Sequence, residues 1–406
     1  MYKNIEGLMA AVGCEKWPQR WADIYQSVMD KLLKYGCELT DPDYYDGLGE
    51  KYNVLVKHRD IYKKAAEEVA KSEALTAFLT LLCESLADAE NRSADLKELS
   101  RPKSPDGKPS IAHDMITGLA ICSQMEYSYN VLKKRGLPDD VIVGVLRMPE
   151  NGIYEYMKRN GGNPGYHLLS WFQLAIDGRL FRIGRLEIEF LSSFGARAKL
   201  FKSADGERVA LAHDIDLHRS GIALGSKWYE DEDGSWHADV EETDAEYIGH
   251  PFDKYGAVKR EKLALKKSEW TLIAEKSTPA IRLHIPADGR LTPDLVDETL
   301  EMTREFVRKY FPEYVGALFV CHSWLLDPQL VDLLGEESNI SKFCKRFTPM
   351  TSKSGGNAVF GFVFLGYSSD CDLNTLPENT SLERLLKNHY INSRAIYELH
   401  GYFPFD

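Results

Sequence analysis

The chain has 406 residues, more than one ordinary hydrophobic core accommodates, so two domains are expected. Its 44% hydrophobic and 28% charged residues are those of an ordinary globular protein. A formal net charge of −12 argues against nucleic acid and anionic membranes, which both require a basic footprint. No apolar run approaches the roughly 20 residues that span a bilayer, and Glu6 interrupts what would be a signal peptide's apolar core. The seven cysteines are scattered and contain no CxxC, so neither a disulfide framework nor a zinc knuckle is expected and a reducing cytoplasm fits best.

Residues 1–147 read as helical. Trp21, Ile24, Tyr25, Val28, Leu32 and Leu33 recur at helical spacing, and 62–89 and 111–132 repeat the pattern on either side of a Pro/Gly/Ser loop at 100–110. Composition shifts after Met148. Helical stretches at 152–159 and 166–176 flank NGGNPG, and from Arg179 the period becomes two. Glu187 and Glu189 alternate with Leu186, Ile188 and Phe190, which puts both carboxylates on one strand face. SADG at 203–206 reads as a hairpin turn, and DEDG at 231–234 as a second one between Trp228-Tyr229 and Trp236. Asp214, Asp216 and His218 share a strand face; a metal can use such a set, but a polar edge or turn is its commoner use, and no metal is expected.

The most informative stretch is 280–347. Ile281, Leu283 and Ile285 alternate with Arg282 and His284 in a strand over 280–286, and 287–291 form a turn containing Gly289. Thr292 stands at an N-cap position with Pro293 behind it, and a helix runs to Tyr310, where Pro312 stops it. Val315 to Cys321 is an apolar run that reads as a buried strand, parallel to the first and joined to it by a right-handed crossover. Cys321, His322 and Ser323 then lie at the carboxyl end of the second strand, where open sheets place their ligands. Cys321 is a candidate nucleophile or acid, His322 a base and Ser323 an acid. Neighbours on a strand point to opposite faces, so Cys321 and His322 aim at one substrate only if the strand has ended. His284, at the end of the neighbouring strand, is placed to meet His322. Farther on, Ser338 caps a helix bearing Ile340, Phe343, Cys344 and Phe347; 358–365 reads as a last buried strand and 381–399 as a closing helix.

Through GRLEIEF (184–190), LHIPADGRLTP (283–293), CHSWLLDPQL (321–330) and SNISKF (338–343), together with its two-part layout, the chain resembles the bacterial GNAT-like acyltransferase-domain proteins. The resemblance implies an α+β fold: a helical domain at 1–147, then a GNAT-like mixed sheet with helices on both faces at 148–406. It implies an acyl-CoA or acetyl-CoA co-substrate and a small-molecule amine or peptide acceptor. The two parallel strands would splay around the pantetheine. Ile285, Ala287, Gly289, Arg290, Leu291 and Thr292 would hold the donor's pyrophosphate end, and Asn339 would touch the pantetheine. His322, Cys321, Ser323, His284 and Glu187 are the candidates for acid and base, and the helical domain would cap the cleft or mediate self-association into a homo-oligomer. Three features depart from the family's pattern: one glycine where two are usual, Asp288 beside the phosphate position, and Phe343 and Phe347 where many relatives carry a tyrosine. They keep open a catalytically inactive ligand-binding or regulatory protein, and Cys321 keeps open a Cys/His hydrolase.

Overall fold

A computed structural model of the chain describes residues 2–286, 289–392 and 395–406. Contacts divide it into two compact units, 1–182 and 183–406. The first is helical up to a strand that begins at Leu180. Helix ends follow local chemistry: Asn4, Asp41 and Ser72 each accept a backbone N–H in the first turn of their helix, and Pro42 follows Asp41. Ser72 explains why 62–89 is not one helix. Its cap opens Glu73–Ala87, separate from Arg59–Ala70. The periodic run 111–132 is likewise split, into Ile111–Asp114, Ile116–Cys122 and Met125–Lys134. Glu73–Ala87 buries Leu75, Phe78, Leu79, Leu81, Leu82 and Leu86 along one broad face, with Ala74, Ala77 and Ser85 buried beside them, so it is the core helix of this unit. The helices Met148–Arg159 and Leu169–Ile176 also lie within the residues of this first unit.

The strands, in chain order, are β1 (Leu180–Ile183), β2 (Leu186–Leu191), β3 (Ala198–Ser203), β4 (Arg208–Ala212), β5 (Ile215–Leu217), β6 (Trp236–Ala238), β7 (Glu241–Glu242), β8 (Glu246–Gly249), β9 (Leu263–Lys266), β10 (Trp270–Ala274), β11 (Ala280–His284), β12 (Leu318–Ser323), β13 (Thr348–Met350) and β14 (Leu399–Phe403). The main sheet has the order β1-β2-β11-β12-β14-β13. In it β11 and β12 are parallel, joined by the helix Pro293–Tyr310, while β2, β14 and β13 pair antiparallel. This is the mixed sheet and crossover anticipated from the sequence, and the 203–206 turn joins β3 to β4 as expected. Other expectations are corrected. Residues 358–365 are not a buried strand: Ala358–Phe362 is a short helix that buries Val359 and Phe360 and exposes Phe362, and Leu365 beyond it is also exposed. The closing helix ends at Ile391, and the chain finishes instead in β14, inside the main sheet. Trp236 lies in β6, whose partner is β5; Trp228 packs on Tyr390 with ring centroids 5.9 Å apart rather than across a hairpin from Trp236.

The two faces of the main sheet are covered differently. On one, the helix Pro293–Tyr310 buries Val296, Leu300, Thr303 and Val307; Phe190 stacks on Phe311 at 3.9 Å, and Phe319 on Phe403 at 5.0 Å. On the other, Ala280, Leu318, Val320, Met350 and Tyr402 pack against Phe194, Ala196, Ala198, Leu200, Ala210 and Ala274. Four of these come from a three-stranded sheet of order β10-β3-β4. β14 fits between β12 and β13 with little room to spare at Gly401. A Cβ there would lie 2.7 Å from Leu326 Cδ1 and 2.9 Å from Phe347 Cβ. Overpacking of this kind costs about 1–3 kcal/mol. Gly401→Ala is therefore expected to lower the urea midpoint by a corresponding amount at unchanged m-value, and an unaltered midpoint would show that the layer yields freely.

Candidate active site

β11 and β12 hold each other for three rungs only, Ala280↔Leu318, Ile281↔Phe319 and Arg282↔Val320. Both strands continue past that point with other partners. Leu283 and His284 stay registered with Ile188 and Glu187 of β2, and Cys321, His322 and Ser323 with Gly401, His400 and Leu399 of β14. The two strands thus part toward their carboxyl ends, each held by its outer neighbour, and a wedge opens between them.

Strand alternation decides what lines one face of this wedge. Residues paired across a rung share a face, so Glu187, Glu189, Arg282, His284, His322 and His400 all project from the same side. Glu189 is 4% exposed. Its Oε2 lies 2.9 Å from His284 Nε2 and 3.4 Å from Arg282 Nη1, so the buried carboxylate has both a hydrogen-bonding and an ionic partner. His322 stacks on His400 at 4.4 Å with 28° between the rings, and its Nε2 lies 3.1 Å from Ser352 Oγ. The two histidines foreseen at neighbouring strand ends do share a face, yet each has its own partners: Glu189 for His284, Ser352 and His400 for His322. His322 keeps an edge open to solvent, while partial desolvation and then the Arg282 charge hold its pKa below the ordinary histidine value. Burial, then His322 and Arg282, push His400 down to about 3.

Cys321-His322-Ser323 is not one constellation. Cys321 is 2% exposed and points to the opposite face from His322, and burial pushes its thiol up to about 12, which leaves no thiolate for nucleophilic attack. Ser323 accepts the Leu325 N–H at 3.2 Å and caps a single 3-10 turn. Glu187, partly buried, sits across the rung from His284. Asn339 is exposed at the start of the helix Asn339–Cys344, which Ser338 caps and which packs on Pro293–Tyr310. Asp214, Asp216 and His218 are dispersed: Asp214 pairs with Arg197 at 2.7 Å, Asp216 with His237 at 2.8 Å, and His218 with Ser220 at 2.8 Å. Among the described residues no group of three His, Cys, Asp or Glu could hold a metal ion.

Beside the wedge runs the loop into the crossover helix. Ala287 and Asp288 lie outside the described residues. The rest is gripped by Arg185, a buried residue in the turn between β1 and β2. Its Nη2 donates to Pro286 O and Gly289 O, both at 2.7 Å, its Nε donates to Arg290 O at 2.9 Å, and its backbone N–H donates to Thr299 Oγ1 at 2.8 Å. A planar trans peptide points its N–H opposite its C=O. With the carbonyls of Gly289 and Arg290 drawn to Arg185, the N–H groups of Arg290 and Leu291 face away from it. Thr292 makes no side-chain cap and Pro293 has no N–H, so the first-turn amides of Asp294 and Leu295 remain at the positive end of an 18-residue helix. Gly289 and Arg290 are exposed; Ile285, Leu291 and Thr292 are half-buried. These donors suit an anionic, phosphate-like group.

Arg185, Ser352 and His400 were not among the sequence candidates, whereas Glu189 was singled out with Glu187 on their shared strand face. The alternation of Leu399, Gly401 and Phe403 with His400 and Tyr402 was the one signal that could have shown β14 and its histidine. Because folded protein binds the His400 proton more weakly than unfolded chain, stability falls as pH drops from about 6.5 toward about 3. In His400→Phe the decrease in urea midpoint between pH 6.5 and pH 4 is expected to be smaller than in the wild-type protein.

The profile of a family described as a GNAT-like C-terminal domain matches residues 180–403. Solved structures of similar fold include an acyltransferase in complex with decanoyl-CoA and teicoplanin, at 20% identity and a TM-score of 0.60 over 99% of both chains. Others are a mutant acyltransferase in complex with octanoyl-CoA, at 20% identity and 0.59 over 98% of both, and an acyltransferase in complex with CoA and 10C-teicoplanin, at 21% identity and 0.59 over 99% of both. No curated protein matches the chain. With the family profile matched over more than half its length, on the sheet that carries the wedge, the chain belongs to the family of proteins with a GNAT-like C-terminal domain.

Proposed function

We propose that the protein is an N-acyltransferase that moves an acyl group from an acyl-CoA thioester to an amine on a small molecule or peptide. The observation that carries this reading is the parting of β11 and β12 beyond Arg282 and Val320, with a polar face at its mouth and an anion-ready loop beside it. The facing strand edges offer backbone groups to an extended pantetheine arm. The amides of Arg290 and Leu291, the start of the crossover helix and the Arg290 side chain suit its diphosphate. The acyltransferases of similar fold were solved with CoA, octanoyl-CoA or decanoyl-CoA, which supports the same donor class here, and two of them with a teicoplanin, which supports a small-molecule or peptide acceptor. Among the described residues no helix is long and apolar enough to cross a membrane.

In this reading the chain's residues supply position and proton transfer. The acceptor arrives as an ammonium ion and gives one proton to His322. Its nitrogen then forms the new bond to the thioester carbon as the carbon–sulfur bond breaks. The second amine proton leaves with the sulfur as the thiol, and His322 returns the first to solvent. His284, seated against Glu189, is the residue we assign to relaying the proton to sulfur. The absence of a tyrosine at Phe343 and Phe347 makes this assignment necessary, and it also favours a rival reading as a ligand-binding protein without turnover. The Cys321 hydrolase reading loses its basis with the buried thiol.

Thermal shift with acetyl-, octanoyl- and decanoyl-CoA tests the reading. A ligand at a hundred times its Kd stabilises by about 2.7 kcal/mol. We expect such a shift in the wild-type protein, a reduced one in Arg185→Met, and an unchanged one in His322→Ala with turnover reduced about 100-fold or more. No shift with any acyl-CoA would overturn the proposal, and binding without turnover against an amine panel would leave the ligand-binding reading.

A further inference from the structure

We propose that Ser352 is a positioning residue that sets the tautomer of His322 and leaves its Nδ1 as the proton-accepting atom. The inference rests on His322 acting as the base and adds which of its two nitrogens does so, and why.

The argument is a count of protons. Ser352 Oγ lies 2.8 Å from the Glu398 carbonyl oxygen and 3.1 Å from His322 Nε2. A carbonyl only accepts, so the single hydroxyl proton of Ser352 is committed to Glu398. Toward His322 the serine oxygen therefore acts as acceptor, and Nε2 carries a hydrogen. A neutral imidazole has one N–H, so Nδ1 bears the lone pair. Among the described residues no other hydrogen bond engages the His322 ring. The relay thus runs from Nδ1 through Nε2–H to the serine hydroxyl and ends on a backbone carbonyl. When Nδ1 takes the acceptor's proton, Nε2–H keeps its bond to Ser352, and no atom of the relay has to move.

The end of the relay is held on both sides. Glu398 donates its own N–H to Ser354 Oγ at 3.2 Å, so two serines from one short segment clamp both backbone groups of the residue that precedes β14. Ser354 is 1% exposed, and its backbone N–H donates to Ser226 Oγ at 3.2 Å. The charged and titratable groups around the His322 ring are His400, stacked on it, and Arg282 on the same sheet face; the Glu398 carboxyl belongs to the residue just before β14. Desolvation first, and then the Arg282 charge on its own face, oppose protonation of the ring. Ser352 follows β13 and stands outside the four sequence stretches that pointed to the family, so its place is visible only once His322 is on the sheet.

The test uses the full-length protein labelled with 15N-histidine. Long-range 1H–15N spectra at pH 8 are expected to show His322 as the Nε2–H tautomer, its signals identified by their loss in His322→Gln. Ser352→Ala should turn that pattern into a mixture of tautomers, and Ser352→Thr, which keeps the hydroxyl, should restore it. In acyl transfer, Ser352→Ala should lower kcat about 10-fold and move the acid limb of the pH profile with the KM for acyl-CoA unchanged, and Ser352→Thr should recover both. A wild-type His322 found as the Nδ1–H tautomer would overturn the proposal, as would a spectrum unaffected by Ser352→Ala. If Ser352→Ala does not fold, the wild-type and threonine spectra still decide the tautomer. A wild-type protein that turns over no acyl-CoA would sink the transferase reading, while the spectra would still decide the role of Ser352.

Discussion

β11 and β12 run parallel but stop pairing before either strand ends. β11 is tied along its whole length to β2, and β12 continues its pairing with β14 to its last residue, so neither can follow the other past Arg282 and Val320. A paired sheet edge has no room for a ligand; an edge exposed inside a sheet has unpaired backbone groups that need one. The wedge therefore arises from where β2 and β14 place their registers, and not from any residue within it.

The polar face at the wedge is stable because the same sheet face is dry lower down. Ala280, Leu318 and Val320 pack against the second sheet and supply the apolar burial; Glu189 and Arg282 share the rung of Val320, and beyond it the face turns to His284, His322 and His400. A buried carboxylate left alone would be costly, and Arg282 with His284 compensates Glu189 on the spot. His322 and His400 follow the opposite logic. Burial and the positive charge of Arg282 favour their uncharged forms, the form in which the proposed base takes up a proton.

If the loop before the crossover helix holds the donor's diphosphate as proposed, one glycine suffices there. Anion binding needs N–H groups that converge, and extra glycines are one way to turn them. Here Arg185 turns them from behind by collecting the carbonyls of Pro286, Gly289 and Arg290. Gly289 is not required by crowding either, since a Cβ there would meet Arg185 Nε at an ordinary 3.6 Å. A sequence pattern that counts glycines misses this solution because the arginine comes from a hairpin about a hundred residues earlier, 104 positions from Gly289.

Much of the fold was legible in one dimension. Alternation marked β2 and β11, Pro293 and Pro312 bracketed the crossover helix, and SADG marked the β3–β4 turn. Period two also separated Cys321 from His322, as the buried thiol bears out. Residues 358–365 misled because a short apolar run has no period that tells strand from helix, and β14 was hidden because its glycine and histidine weaken the strand signal. Which residues share a face could be read in one dimension, since local backbone geometry sets that. Which faces meet emerged with the fold: Glu189 with His284, His322 with His400 and Ser352, Arg185 with its loop. Those meetings depend on strand order and register, which are set by contacts between distant parts of the chain and leave no mark on either partner alone.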